Sequence, residues 1–503
     1  MNNTLIQMLS NSVQQFPDKV AVIHGESRVT YSELWEKSCG LAKYLLDNGL
    51  NSEDRVSLLI DNSPEYVIAY YGVLMAGGAV VGLNTAAKSR DLLNWIEHSD
   101  SSVLIAHVQH AEFKSIYAQL NNGSINIITV DDSDNEFNNK KLEEVDLSSQ
   151  RPEIDIQAEH HLASLIYTSG TTGKPKGVML SHLNLSDNIS SILEYLKLNN
   201  TDSIVNILPF YYSYGNSVLH THLAVGGTII LENSLLYPQK ILGLMQNEKV
   251  TGFSGVPSTY SLLLNRTNLC DFDLSSIRYM TQAGGAMAPT NIEKLNQKLP
   301  NIDFFVMYGQ TEASARLSYM PAEMLNKKIG SIGISIPNVT LDIRDQQHKS
   351  VNQGEVGEIY ASGKNIMLGY WKDDEASSKV FYGDWLLTGD LAYKDEDGYI
   401  YIVGRSSEMI KSGAHRISPK DIEEVIMELD GVEEVVVIGI DNELLGQAIK
   451  AFIVLSSGSN LDKKQIMRHC KMNLANYKLP KQIELTDDIP RTASGKVRRF
   501  MLK

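Results

Sequence analysis

Short apolar runs separated by helical segments recur along most of this chain, and they constrain its fold more than any other feature. "RVSLLI" (Arg55 to Ile60), "SSVLIAH" (Ser101 to His107), "INIITV" (Ile125 to Val130) and "GGTIILE" (Gly226 to Glu232) each have the length and branched composition of a buried strand. Strands spaced by helices imply parallel sheets with helices on their faces. The longest apolar stretch, Tyr66 to Leu83, is long enough to suggest a membrane span. Gly77-Gly78 splits it, so it reads as a buried helix, a glycine stop and a buried strand.

From about Gly354 the texture changes to short strands in hairpins, with Asp397-Gly398 as a tight turn. "ISPKDIEEVIMELDGVEEVVVIGI" then opens a compact α+β unit. Ser418 suits an N-cap, Pro419 the first helical position and Gly431 the stop, with a strand from Val435 to Ile440. At ~150 residues per domain the length suggests about three structural units. The change of texture sets the main boundary near Arg405, giving domains 1–404 and 405–503. The acidic, Asn-rich stretch from Asp131 to Glu144 reads as a solvated surface connection.

A net charge of −15 argues against nucleic acid as a partner, since phosphate binding on that scale needs basic surface. It leaves room for a small anion in a local basic pocket. Cys39, Cys270 and Cys470 are widely separated and lack metal-ligand spacing, so all three read as buried inert thiols in a reducing compartment. The N-terminus has no basic segment followed by an apolar run and is not a secretory signal. A cytoplasmic protein without a membrane span is the expectation.

The stretch "YTSGTTGKPKGV" (Tyr167 to Val178) follows a strand-like "LASLIYT". Glycines let backbone N–H groups converge on an anion, hydroxyls add neutral donors, and Lys174 and Lys176 add charge. The spacing differs from a P-loop, which needs G-x-x-x-x-G-K-[ST] opening a helix. On its own the stretch is either a phosphate-holding loop of another kind or a polar hairpin.

Four further segments follow in order: "YGQTE" (Tyr308 to Glu312) after a strand-like "DFFVM", "TGD" (Thr388 to Asp390) at the end of another strand pattern, "GRSSEMIKSGAHRISP" (Gly404 to Pro419) and "PRTASGKVRR" (Pro490 to Arg499). Together with the loop they resemble the adenylate-forming superfamily of acyl-CoA synthetases, luciferases and peptide-synthetase adenylation domains, over essentially the whole chain. The resemblance implies an α/β and α+β architecture. A large N-terminal domain of two mixed sheets plus a distorted β-barrel would be hinged to a small mobile α+β C-terminal domain.

It also implies roles. Thr168, Ser169, Gly170, Thr171 and Thr172, with Lys176, would wrap the β- and γ-phosphates of ATP. Tyr308 would stack on adenine beside a wall of Gly284, Gly285 and Ala286. Thr311 would contact the α-phosphate, Glu312 would hold Mg2+, and Asp390 would accept from the ribose hydroxyls with Arg405 beside it. Lys496 would reach the α-phosphate and the attacking carboxylate, which makes Lys496, Thr311 and Glu312 the catalytic set. Such equipment suits attack by a carboxylate on the α-phosphorus, where two anions must be brought together.

The resemblance further implies a second step, in which the small domain rotates and brings the face around Gly413 to the site. That rotation pivots on Asp or Lys in the family, whereas Ser407 stands at the position here. The motifs are most similar to acyl-CoA synthetases and to coronafacate-ligase-type amide ligases. The expected acceptor is therefore the coenzyme A thiol, with an amino-acid amine or a carrier protein as alternatives. A catalytically silent binding protein on the same fold is the remaining reading.

The resemblance implies an acid pocket at Tyr211, Tyr212, Gly255, Val256 and Gly309, and peptide-synthetase domains usually carry an aspartate in the segment that matches Leu208 to Leu223. "LPFYYSYGNSVLHTHL" (Leu208 to Leu223) contains no carboxylate to pair with a substrate ammonium. An unpaired buried ammonium is costly, so the acid should lack an α-amino group. The tyrosines suggest an aromatic, mostly apolar pocket for a medium-sized cyclic, aryl or fatty acid.

Overall fold

The structure is a computed structural model. It describes residues 4–121, 123, 125–132, 136–137, 139–168, 176–412, 415–442, 445–491 and 497–502. Two large sheets dominate. The first has nine strands, six of them parallel and lying side by side: Asp303–Tyr308, Tyr279–Gln282, Gly252–Gly255, Ser203–Asn206, Thr228–Leu231 and Val20–His24. The second has eight strands, and its parallel part contains Leu162–Thr168, Ala79–Gly82, Arg55–Leu59, Ser101–His107 and Asn126–Val130. Helices Tyr31–Asp47, Pro64–Met75, His182–Leu196 and Ser213–Ala224 share one continuous core with both sheets. This is the layered arrangement that helix-spaced apolar strands require.

The Tyr66 to Leu83 stretch resolves as expected. Helix Pro64–Met75 is buried at every position except Glu65, Gly77 breaks it, and strand Ala79–Gly82 follows. No helix among the described residues is long and apolar enough to cross a membrane. Close packing at Gly72 explains part of that burial, because a Cβ there would lie 2.7 Å from Leu41 Cδ2 on the neighbouring helix.

A five-stranded antiparallel sheet (Val339–Arg344, Gly357–Gly363, Phe381–Tyr382, Trp385–Lys394 and Ile400–Arg405) forms the half-barrel. It begins before Gly354, where the change of texture first shows. The turn at Asp397-Gly398 is present, closed by Gly398 N–H donating to Asp395 O at 3.0 Å. A fourth sheet, built on Val432–Asn442 and Gly446–Leu455, has its own cores around Ile422, Ile449 and Ile466 and around Phe452 and Ile489.

Several expectations need correction. Helix Pro419–Met427 ends four residues before Gly431, with Glu428 as its cap, so Gly431 opens the next strand instead of stopping the helix. Ser418 is the N-cap residue, but its hydroxyl donates to Val403 O and makes no capping bond. Thr388–Asp390 lies within a ten-residue strand, not at its end. The Asp131 to Glu144 stretch contributes an edge strand, Lys140–Lys141, to the eight-stranded sheet. Cys39 and Cys470 are buried, whereas Cys270 is exposed.

The shared core also buries histidines. His220 Nδ1 bonds the Tyr71 hydroxyl at 2.8 Å, and His222 Nε2 bonds the Tyr279 hydroxyl at 2.8 Å. Among the described residues, neither ring nitrogen of His182 has a hydrogen-bond partner. Burial pushes His182 and His220 down to about 3 and His222 down to about 4. An unfolded chain protonates histidine below about pH 6.5, so it binds more protons than the folded one between there and the depressed values. Stability from the neutral rings is therefore complete above pH ~6.5 and is lost as pH falls, by ~1.4 kcal/mol per pH unit for each ring. Thermal unfolding should show Tm dropping steadily between pH 6.5 and 5; a flat Tm across that interval would contradict the assignment.

Candidate active site

In open α/β sheets, ligands bind beyond the carboxyl ends of parallel strands where the strand order reverses. In the nine-stranded sheet that reversal occurs at Ser203–Asn206, which has Thr228–Leu231 on one side and Gly252–Gly255 on the other. The segments leaving these carboxyl ends carry the residues singled out from the sequence. Tyr211 and Tyr212 follow Asn206, while Gly255 ends strand Gly252–Gly255 and Val256 caps the helix after it. Gly284, Gly285 and Ala286 follow Gln282, while Tyr308, Gly309, Thr311 and Glu312 end or follow the fourth.

Local packing holds this rim in shape. Gln282 Nε2 donates to Gly285 O at 2.7 Å, and the Tyr214 hydroxyl bonds Thr281 Oγ1 at 2.8 Å. Ser213 Oγ and Thr311 Oγ1 are 3.3 Å apart, joining the start of helix Ser213–Ala224 to the Thr311–Ala313 turn. Gly309 must be glycine on steric grounds, because a Cβ would sit 2.0 Å from Ala315 O. The second sheet reaches the same rim: Asn84 Nδ2 donates to the Tyr212 hydroxyl at 3.2 Å, and a Cβ on Gly82 would lie 3.0 Å from Tyr211 Cα. The Tyr211 and Tyr212 rings lie 4.6 Å apart.

The half-barrel supplies the polar edge. Asp390 is 5% exposed, and both its oxygens are engaged. The Tyr308 hydroxyl donates to Oδ2 at 2.6 Å and Arg405 Nε to Oδ1 at 3.0 Å. Asp390 and Arg405 are direct partners in the antiparallel ladder, which places the guanidinium over the carboxylate. Burial, then the Asp390 carboxylate, pushes the Tyr308 phenol far up, so it stays a donor.

A second acidic group lies on the same rim. Glu312 Oε1 accepts from the Tyr370 hydroxyl at 2.9 Å, and Lys176 Nζ lies 4.6 Å from the centre of that tyrosine ring. Tyr370 thus links Lys176, expected to meet phosphate, to Glu312, expected to hold metal. Sequence reading missed it, and also missed Asn84, Gln282 and Ser213, since none of these belongs to a recognisable motif. Among the described residues there is no group of three or more side chains able to cage a metal. Mg2+ is usually held by one or two carboxylates plus substrate phosphates. The single Glu312 carboxylate fits an ion of that kind arriving with a nucleotide.

Thr168 and Lys176 face each other as the last partners of the hairpin formed by Leu162–Thr168 and Lys176–Ser181. Ser169, Gly170, Thr171 and Thr172 lie outside the described residues, as do Gly413 and Lys496. Ser407 is exposed in the turn after Arg405, away from the polar cluster's hydrogen bonds.

Residues 9–371 match the family model for the AMP-binding enzyme, and residues 421–496 match that for its C-terminal domain. The chain belongs to the AMP-binding enzyme family. This AMP-binding enzyme is an ATP-dependent, AMP-forming ligase. It is 33% identical to a feruloyl-CoA synthase of an Amycolatopsis species, with 96% of this chain and 94% of the relative covered. Identity to a long-chain-fatty-acid–CoA ligase of Bacillus subtilis is 32%, covering 100% of this chain and 94% of the relative. Its structure superposes on an anthranilate CoA ligase, AuaEII, in complex with anthranoyl-AMP. The TM-score is 0.91 at 25% identity, covering 100% of this chain and 96% of the other.

Asp390→Asn keeps an acceptor for Tyr308 but removes the charge. ATP-dependent pyrophosphate exchange should lose ~10–100-fold in kcat/KM for ATP, the value of hydrogen bonds to a charged group, while the variant remains folded. Unchanged exchange would remove Asp390 from the nucleotide site.

Proposed function

We propose that this ligase activates a carboxylic acid lacking an α-amino group as its acyl-adenylate, releasing pyrophosphate, and then transfers the acyl group to the coenzyme A thiol. The observation that carries this reading is the meeting, on one sheet rim, of Tyr308, Asp390 and Arg405 with Thr311 and Glu312 on one side and the Tyr211–Tyr212 pair on the other. Adenine would lie against Tyr308 and the Gly284–Ala286 wall, with the ribose hydroxyls toward Asp390. The acid would enter between Tyr211, Tyr212, Val256 and Gly309. Thr311 would hold the α-phosphate, and Mg2+ on Glu312 would draw negative charge from the reacting phosphate. Thr168, the 169–172 loop and Lys176 would keep the leaving pyrophosphate in place.

The absence of a carboxylate between Leu208 and Leu223 supports an acid without an ammonium group. Coenzyme A is favoured as acceptor because the similar full-length relatives are named as CoA ligases. Transfer to an amino-acid amine, as in amide ligases of the coronafacate-ligase kind, remains the alternative, and loading of a carrier protein a further one. Domain 405–503 would act as the moving lid that exchanges the Lys496 loop for the Gly413 face between the two steps.

Pyrophosphate exchange with a panel of acids tests the first step, and mass spectrometry of products with CoA and then with amino acids tests the second. A folded preparation that supports exchange with no acid would refute the ligase chemistry. Lys496→Ala should abolish adenylate formation yet spare transfer from a supplied acyl-adenylate. Ser407→Pro should do the reverse, slowing transfer more than adenylation. Equal loss of both steps in Lys496→Ala would contradict the two-position lid.

A further inference from the structure

Among the described residues, Arg316 differs in kind from the arginines that stand against buried carboxylates. Arg278 faces the buried Asp202 at 2.6 Å, and Arg405 faces the buried Asp390 at 3.0 Å. Arg316 is more deeply buried than either, at 3% exposure, yet among the described residues no carboxylate lies within ion-pair distance of it. Its guanidinium carbon sits 4.1 Å from the centre of the Tyr214 ring. Its Nε donates at 3.3 Å to Met307 Sδ, a weak acceptor that also takes the Tyr195 hydroxyl at 2.9 Å. A ring face and a thioether compensate only part of the desolvation of a buried cation.

The surrounding backbone is held in place. Asn188 both accepts from Arg316 N–H, at 3.3 Å, and donates to Arg316 O, at 2.9 Å, while Asn365 Nδ2 donates to the same carbonyl at 3.0 Å. Position is equally informative. Arg316 follows the turn that carries Thr311 and Glu312, and it stacks on Tyr214, one residue beyond the Ser213 that touches Thr311. Tyr214 in turn bonds Thr281 behind the Gly255 rim. The guanidinium is thus held against Tyr214 and Met307, between the segment that carries Ser213 and the strand that ends at Tyr308.

We propose that Arg316 is a specificity-determining residue that receives a second anionic group on the acid substrate, so that the enzyme prefers a dicarboxylate, one carboxyl being activated at Thr311 and the other paired with Arg316. The proposal rests on the ligase reading for the reaction and on the uncompensated cation for the ligand. It refines the mostly apolar pocket expected from the tyrosines into one with a single charged end. A fork of N–H donors matched to a carboxylate supplies both affinity and orientation.

Calorimetry on the full-length protein, with paired probes, tests this. Glutarate, adipate, suberate and isophthalate are each compared with the monocarboxylate of the same skeleton, and all are run in pyrophosphate exchange. At least one dicarboxylate should bind on the order of 10–100-fold more tightly than its partner. That preference should collapse in Arg316→Met and persist in part in Arg316→Lys. Equal binding within every pair overturns the proposal, as does a preference that survives Arg316→Met. A purely structural Arg316 would weaken all acids alike, which also overturns it. If Arg316→Met does not fold, Arg316→Lys decides, because loss of the fork should cut the preference several-fold and an unchanged preference counts against it. Dicarboxylate binding without exchange by any acid would sink the ligase reading and leave the Arg316 assignment standing. Exchange with monocarboxylates and no dicarboxylate preference would do the opposite.

Discussion

One buried carboxylate ties the molecule's main parts together. Asp390 belongs to the half-barrel, accepts from Tyr308 at the end of a central parallel strand, and pairs with Arg405 at the last residue of the half-barrel's edge strand. A carboxylate removed from water is costly unless it is paired and hydrogen-bonded on both oxygens. Here the two partners that satisfy it come from different structural units. The geometry of this part of the rim is thus set by an electrostatic requirement and not by loop shape alone. The Tyr308 phenol, pushed far from ionisation, can serve only as donor, so this bond has one polarity at any working pH.

Much of the architecture was legible because it follows from solvent exclusion along the chain. The runs at Arg55, Ser101 and Asn126 are buried on both faces, and so they read as uninterrupted apolar strands. Helix Pro64–Met75 was separable from a membrane span because glycines interrupt it. The failures have local causes. Gly431 looked like a helix stop because helix termination and strand entry both favour a positive-φ residue, and only the tertiary packing decides between them. Thr388–Asp390 looked like a strand end because Gly389 resembles a turn residue, although it sits within a strand whose register shifts nearby.

The site was legible where residues cluster in sequence and opaque where they meet only through the fold. Thr311 and Glu312 are adjacent, and their neighbourhood to Tyr308 is local. The approach of Tyr370 to Glu312 spans 58 residues, and that of Asn84 to Tyr212 spans 128. Arg316 was silent for a different reason. Its chemistry lies in what fails to stand opposite it, and a missing counter-ion is visible only once the neighbours are known. If Arg316 serves the acid as proposed, one cation beside aromatic walls would give the pocket a definite polarity, which composition alone averages away.

The strand order of the nine-stranded sheet carries a cost during synthesis. Val20–His24 pairs in parallel with Thr228–Leu231, which is made much later along the chain. At ~5–20 residues per second, that partner emerges roughly 10–40 s later. Until then the edge of Val20–His24 that Thr228–Leu231 covers in the finished sheet stays open, so the central layer closes only after its later strands are made.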